Sequence, residues 1–246
     1  MTADSPLRPL VRKLDNHVAL DDDDKDALMA LPHGVRDLSP ASYIVREGEV
    51  PTGCAILIEG FAFRQKLAAD GGRQILSVQI PGDALDMQHL FLDCADHNVQ
   101  ALTSVRVAVV PRVALRMIAM QRPTIAHAFT VNNQVEASIT REWLLNVGRR
   151  DARTRLAHLL CEVATRLQGQ DLVTEYGYEL PMTQEQLADA TGLTNVHVNR
   201  TLKTLENEGL LERDRRAIRF PNWQAMKAAA GFDPLYLHLG RQAAAG

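Results

Sequence analysis

The sequence predicts an α+β fold: an N-terminal antiparallel β-roll, one long helix, and a C-terminal winged helix–turn–helix. Three observations predict it. Between Val35 and Val113, short apolar or β-branched segments alternate with glycine turns. From Pro111 to Leu167 the apolar period becomes helical. Over residues 183–209, two short capped helices flank a tight glycine turn.

The chain has 246 residues, enough for one large domain or two ordinary ones. We expect three segments: a roll with flanking helices over 1–123, a dimerisation helix and hinge over 124–148, and a DNA-binding domain with its tail over 149–246. Apolar residues make up 46% and charged residues 23%, which excludes a disordered chain. No apolar run is long enough to cross a bilayer, and Met1–Leu20 has no apolar stretch of the signal-peptide kind. Cys54, Cys94 and Cys161 are odd in number and widely spaced, so neither a disulfide framework nor a closed zinc site is expected. A reducing, cytoplasmic setting fits these features. The net charge of −3 argues against indiscriminate nucleic-acid binding. Any phosphate contacts must come from local clusters, and the second part of the chain has two: Arg149, Arg150, Arg153 and Arg155, then Arg213, Arg215, Arg216 and Arg219.

Residues 1–31 read as short helices. Asp21–Asp24 places acids at a helix start, before Ala27, Leu28 and Leu31. Strand-like segments follow at Tyr43–Val45, Cys54–Ile58, Phe61–Gln65, Gln74–Gln79 and Val105–Val110, with Gly48, Gly53, Gly60, Gly71-Gly72 and Pro81-Gly82 between them. Pro123 suits a first helical turn, and Ile125, Phe129, Val135, Ile139 and Trp143 continue the helix toward Val147. Its stripe could pack on the chain's own roll. We expect instead a homodimer seam built from Asn132, Val135, Glu136, Ile139 and Trp143, with Asn146 on the same stripe. Gly148 with Arg149-Arg150-Asp151 reads as a hinge before a helix over Ala152–Leu167, which would bury Leu156, Leu159, Leu160 and Val163. The small-residue end Ala243–Gly246 reads as a frayed tail.

The stretch 183–209 carries the most information. Thr183 with Gln186 forms a capping box, and Thr194 is a second N-cap. Ala188 lets two helices approach, Gly192 permits a left-handed turn, and Val198 fills the joint. The second helix then presents Asn195, Val196, His197, Asn199, Arg200 and Lys203 outward. Arg200 can donate twice to guanine, Asn195 or Asn199 can pair with adenine, and Val196 can touch a thymine methyl. Lys203 is a phosphate candidate, His197 is a phosphate contact or simply an exposed residue, and Thr194 joins the expected DNA-binding set. Beyond it, Arg213, Arg215 and Arg216 crown a β-hairpin wing suited to backbone phosphates. The expected partner is double-stranded DNA.

This order of parts resembles the Crp/Fnr family of bacterial transcription regulators over residues 20–222. The resemblance rests on Arg46–Glu49, Leu57–Gly60, Asp70–Ile75, Ile80–Asp83 and Met182–Leu211. It implies a cyclic-nucleotide-binding-like roll (a double-stranded β-helix), a homodimer and a palindromic operator, with RNA polymerase as a further candidate partner. Nucleotide-binding members of the family carry a Gly-Glu pair and a later Arg-Ser/Thr pair. Here Met87 stands at the Glu position, and no arginine occurs between Asp93 and Val105. The resemblance therefore implies an effector other than cAMP or cGMP, bound by residues that the sequence does not identify. No cysteine precedes Cys54, so an iron–sulfur cluster is not expected, nor is any other cofactor. Val196 replaces a glutamate that reads cytosine in many members, while Arg200 matches the family's helix arginine.

His89, Cys94 and His97 form a second constellation, a candidate metal or thiol site in what otherwise reads as a surface loop. Two other functions compete with DNA binding. A cupin-like metal oxygenase would need a His-x-His motif, which is absent. A ligand- or protein-interaction module would not bind a duplex in a salt-dependent way.

Overall fold

A computed structural model describes residues 5–173 and 177–239, so the tail Ala243–Gly246 lies outside the described residues. In chain order the elements are α1 (Arg8–His17), α2 (Asp22–Met29), β1 (Gly34–Leu38), β2 (Tyr43–Val45), β3 (Gly53–Glu59), β4 (Ala62–Leu67), β5 (Arg73–Gln79), β6 (Asn98–Ala101) and β7 (Val105–Pro111). Then come α3 (Arg112–Gln121), α4 (Pro123–Arg149), α5 (Ala152–Gly169), β8 (Gly177–Glu179), α6 (Gln184–Thr191), α7 (Asn195–Asn207), β9 (Glu212–Asp214), β10 (Ala217–Arg219) and α8 (Trp223–Ala230). Single 3-10 turns occupy Met87–Leu90 and Pro234–Leu237. The chain forms two compact units: one runs to Gln65 and includes Val78–Ala137, the other comprises Lys66–Ser77 and Ser138–His238.

The roll consists of two antiparallel sheets, ordered β1-β7-β3 and β2-β6-β4-β5. Strand alternation turns Val45, Leu57, Val99 and Val107 into one apolar core, which Leu85 joins from the connection after β5. A second core lies under the helices, where Leu10, Leu14, Leu28, Leu115 and Phe129 meet Ile56 and Ala108. Asp21 caps α2 by accepting from the Asp24 amide at 2.7 Å, so the acidic run is a helix start. Gly60 joins β3 to β4 at φ +82°, where any Cβ would collide with the Ser104 carbonyl. The strands β1 and β6 complete the two sheets and were absent from the sequence reading; β6 is only four residues long.

A charged knot ties this unit together. Lys13 on α1 reaches Asp83 at 2.7 Å and Glu136 at 3.0 Å, and Arg64 on β4 reaches Glu136 at 2.6 Å. Arg64 also donates to the carbonyls of Ala84 and Leu85. All four side chains are largely buried, so removing one partner strands the others and costs about 3–5 kcal/mol.

In the second unit α5 is the central helix. It buries Leu156, Leu159, Leu160 and Val163 as expected. The fully buried Glu162 accepts two contacts from Trp143 Nε1 at 3.0 Å and one from the Tyr236 hydroxyl at 2.8 Å, and Arg166 lies 3.5 Å away. That network corrects the dimer seam. Ile139 and Trp143 are only 4% and 7% exposed within a single chain. Asn132 and Val135 are buried too, and Glu136 is engaged by Lys13 and Arg64. This stripe faces inward because an apolar period marks a buried face without saying what covers it. The opposite face carries Arg141, Leu144 and Leu145, with Leu144 74% exposed. Within the expected hinge stretch of residues 148–151, α4 runs helically through Gly148 to Arg149, the helical run breaks at Arg150, and Asp151 then caps α5.

His158 on α5 is sealed against Phe232 and Tyr236, with ring centroids 5.2 and 5.7 Å away. Burial lowers its pKa to about 3, with Arg150 acting in the same direction. The unfolded chain, at about 6.5, binds this proton while the folded chain does not. The resulting stability is full above about pH 6.5 and is lost as pH falls toward 3, at most about 1.4 kcal/mol per pH unit. His158→Phe keeps the ring packing and removes the titration. Urea unfolding at pH 7 and pH 5 should show a smaller loss for the variant than for the wild type. Equal losses would refute the assignment.

Candidate nucleic-acid interface

The helix–turn–helix forms as its residues require. The Thr183 hydroxyl accepts from the Gln186 amide, and the Gln186 side chain accepts from the Thr183 amide, completing the capping box. Gly192 takes the left-handed conformation at φ +64°. Thr194 caps α7 by accepting from the His197 amide at 3.3 Å. Ala188 and Val198 are both buried at the joint, and Leu202 and Leu205 continue the inner face of α7. Arg155 on α5 donates to the Thr191 carbonyl at 2.6 Å and to the Arg150 carbonyl at 2.8 Å, which fixes the end of α6. On the other flank Asp189 accepts from Arg73 Nε at 2.6 Å, and its carbonyl accepts from Gln74 at 2.8 Å.

With the inner face filled, the outer face of α7 is committed to solvent. Asn195, Arg200 and Lys203 are exposed, Val196 is 80% exposed, and His197 and Asn199 are half-buried. Asn195, Val196, Asn199, Arg200 and Lys203 line one open groove, together with Gln184 from α6. Asn199 Nδ2 donates to Gln184 Oε1 at 3.3 Å. Gln184 was absent from the sequence reading because it precedes α7 by eleven positions in another helix. A polar residue at the first position of α6 was the only signal available.

The wing is a three-stranded antiparallel sheet ordered β8-β10-β9. Its turn carries Arg215, at φ +55°, and Arg216, both exposed. Arg213 does not join them. It lies in β9 and grips Glu206 of α7 through two bonds of 2.6 and 2.9 Å, holding that carboxyl below its ordinary pKa. It is corrected from a phosphate candidate to a brace between wing and recognition helix. Three members of the first arginine cluster are likewise committed internally. Arg150 reaches Glu142, Arg153 reaches Glu208, and Arg155 holds the carbonyls already named.

The histidine–cysteine constellation does not assemble. His89 and His97 are buried and stacked with centroids 6.2 Å apart, while Cys94 is exposed. His97 Nδ1 pairs with Asp96 at 2.7 Å. Among the described residues no group of three or more His, Cys, Asp or Glu side chains is arranged to hold a metal ion. Cys54 and Cys161 are core residues, and burial raises the pKa of both thiols. Among the described residues no helix is long and apolar enough to cross a membrane.

Residues 35–122 match the cyclic nucleotide-binding domain family, and residues 154–229 match the Crp-like helix-turn-helix domain family. The transcriptional activatory protein AadR of Rhodopseudomonas palustris is 32% identical over 174 residues, covering 70% of this chain and 71% of its own. The transcriptional activator protein FnrL of Cereibacter sphaeroides is 25% identical over 179 residues, covering 72% and 71%. Among solved structures, FixK2 from Bradyrhizobium japonicum has the same fold with a TM-score of 0.76 at 24% identity, covering 82% of this chain and all of its own.

Proposed function

The chain belongs to the Crp/Fnr family of transcription regulators, and from that premise we propose that it binds a two-fold symmetric operator as a homodimer and answers to an effector other than cAMP or cGMP. The observation that carries this reading is the outer face of α7, where exposed Asn195, Val196, Arg200 and Lys203 share a groove with half-buried Asn199. These residue types match base edges, and none of them is needed for the helix's own packing. Relatives whose names call them activators support a role in activation, with RNA polymerase as the second partner.

Base reading and positioning divide between α7 and the wing. Arg200 reads a guanine, while Arg215 and Arg216 contact phosphates. Arg200→Ala should relax preference at one base pair in each half-site, a discrimination of about 1–3 kcal/mol. Arg215→Ala and Arg216→Ala should weaken all duplexes about equally and flatten the salt dependence. Competition binding against single-base operator variants at two salt concentrations distinguishes these outcomes. A uniform loss of affinity in Arg200→Ala with base preferences intact would remove α7 from the role of reader. A protein-interaction module would show no salt-dependent duplex binding at all.

The homodimer forms through the outer face of α4. Leu144 and Leu145 are exposed large apolar residues on a helix whose other face is filled. Replacing both with glutamate should yield a folded monomer in sedimentation, because neither residue supports the chain's own core. A wild-type monomer at micromolar concentration would refute the dimer.

Cyclic mononucleotides should give no heat in titration calorimetry at micromolar concentration. Met87 is buried where a ribose-binding glutamate would stand. Arg64, an arginine on β4, is already held by Glu136 and two backbone carbonyls. Micromolar binding of cAMP or cGMP would overturn this part of the proposal.

A further inference from the structure

Gln184 is the first residue of α6, and it is exposed at the mouth of the α7 groove. Its Oε1 accepts from Asn199 Nδ2 at 3.3 Å, across fifteen positions of sequence. The bond joins the two helices on their outer side, opposite the buried joint of Ala188 and Val198. It contributes little to packing, because both amides could instead bond water. Its effect is orientational. A free asparagine amide turns broadly about its last torsion, and its two ends present opposite hydrogen-bonding characters.

Adenine in the major groove presents an N7 acceptor beside an N6 donor. Only one orientation of the asparagine amide matches that pair. One amide hydrogen lies on the same edge as Oδ1, and the other points away. An acceptor that engages the outward hydrogen leaves the Oδ1 edge intact for the base. We propose that Gln184 is a positioning residue for base reading: it holds the Asn199 carboxamide in the adenine-matching orientation, so that α6 contributes to specificity without touching a base. This inference rests on the DNA-binding reading above. It gives each half-site an adenine whose recognition depends on two helices, alongside the guanine read by Arg200.

The test is selection of bound sites from random duplex DNA with the full chain, followed by competition against single-base variants of the selected operator. Asn199→Ala should reduce preference for the adenine by about tenfold. Gln184→Leu, similar in size but without an acceptor, should lose most of the same preference at the same base pair. It should leave the guanine preference of Arg200 unchanged. Gln184→Glu retains only acceptors, so it should keep the adenine preference while its charge lowers affinity for every duplex. The Gln184→Leu/Asn199→Ala double variant should be no less selective than Asn199→Ala alone, because both act through one amide. Retained adenine preference in Gln184→Leu would overturn the proposal. So would additive losses in the double variant, or a selected site in which no base depends on Asn199. A wild-type protein that selects no common site would overturn the DNA-binding reading itself, a result distinct from all of these.

Discussion

The carboxylate of Glu162 has no access to solvent, and a buried charge persists only where donors surround it. Trp143 from α4, Tyr236 from the C-terminal 3-10 turn and Arg166 from its own helix supply those donors. The requirement fixes the rotation of the C-terminal half of α4 about its axis, since Trp143 must point at α5. Once that face is committed, Leu144 and Leu145 are forced outward. The same helix α5 then holds the end of α6 through Arg155 and packs against α7. A single desolvated carboxylate thus helps to set which side of the C-terminal half of α4 is free.

Local chemistry was legible in the sequence wherever a motif determines its own geometry. The Thr183–Gln186 box, the Gly192 turn and the Thr194 cap all form as their residue types demand. What could not be read was long-range pairing. The stripe Val135, Ile139 and Trp143 has the same period whether it faces a partner chain or the interior of its own chain. The deciding residue, Glu162, looks like an ordinary helical acid until its nineteen-residue separation from Trp143 is closed by folding. Arg213 presents the same difficulty, because nothing in a run of wing arginines distinguishes the one that pairs with Glu206.

The charged groups of the roll are largely spent on one another. Its turn at Asp83–Asp86 is filled from within: Asp83 accepts from Lys13 and from the Ile80 amide, and Asp86 accepts from the Ala55 amide. Arg64 supplies the positive charge, but its donors are consumed by Glu136 and the turn carbonyls. A guanidinium already paired in a largely buried setting gains little from an incoming phosphate, since it must first give up contacts of similar strength.

Charge distribution explains why so few residues can perform recognition. The chain is net negative, so long-range attraction to a polyanion is weak and binding must come from cations left unpaired at the surface. Folding removes half of the clustered arginines: Arg150, Arg153, Arg155 and Arg213 are each tied to an acid or a carbonyl. Those ties orient α5, α7 and the wing. Arg200, Lys203, Arg215 and Arg216 stay exposed on the outer face of α7 and at the wing turn. An arginine spent on bracing cannot also release counterions from DNA, and a free one cannot hold a helix in place. Rigidity and affinity therefore draw on separate arginines. In the proposed complex, specificity is left to the residues of the α7 groove, where the frame made by the first set allows side-chain geometry to matter.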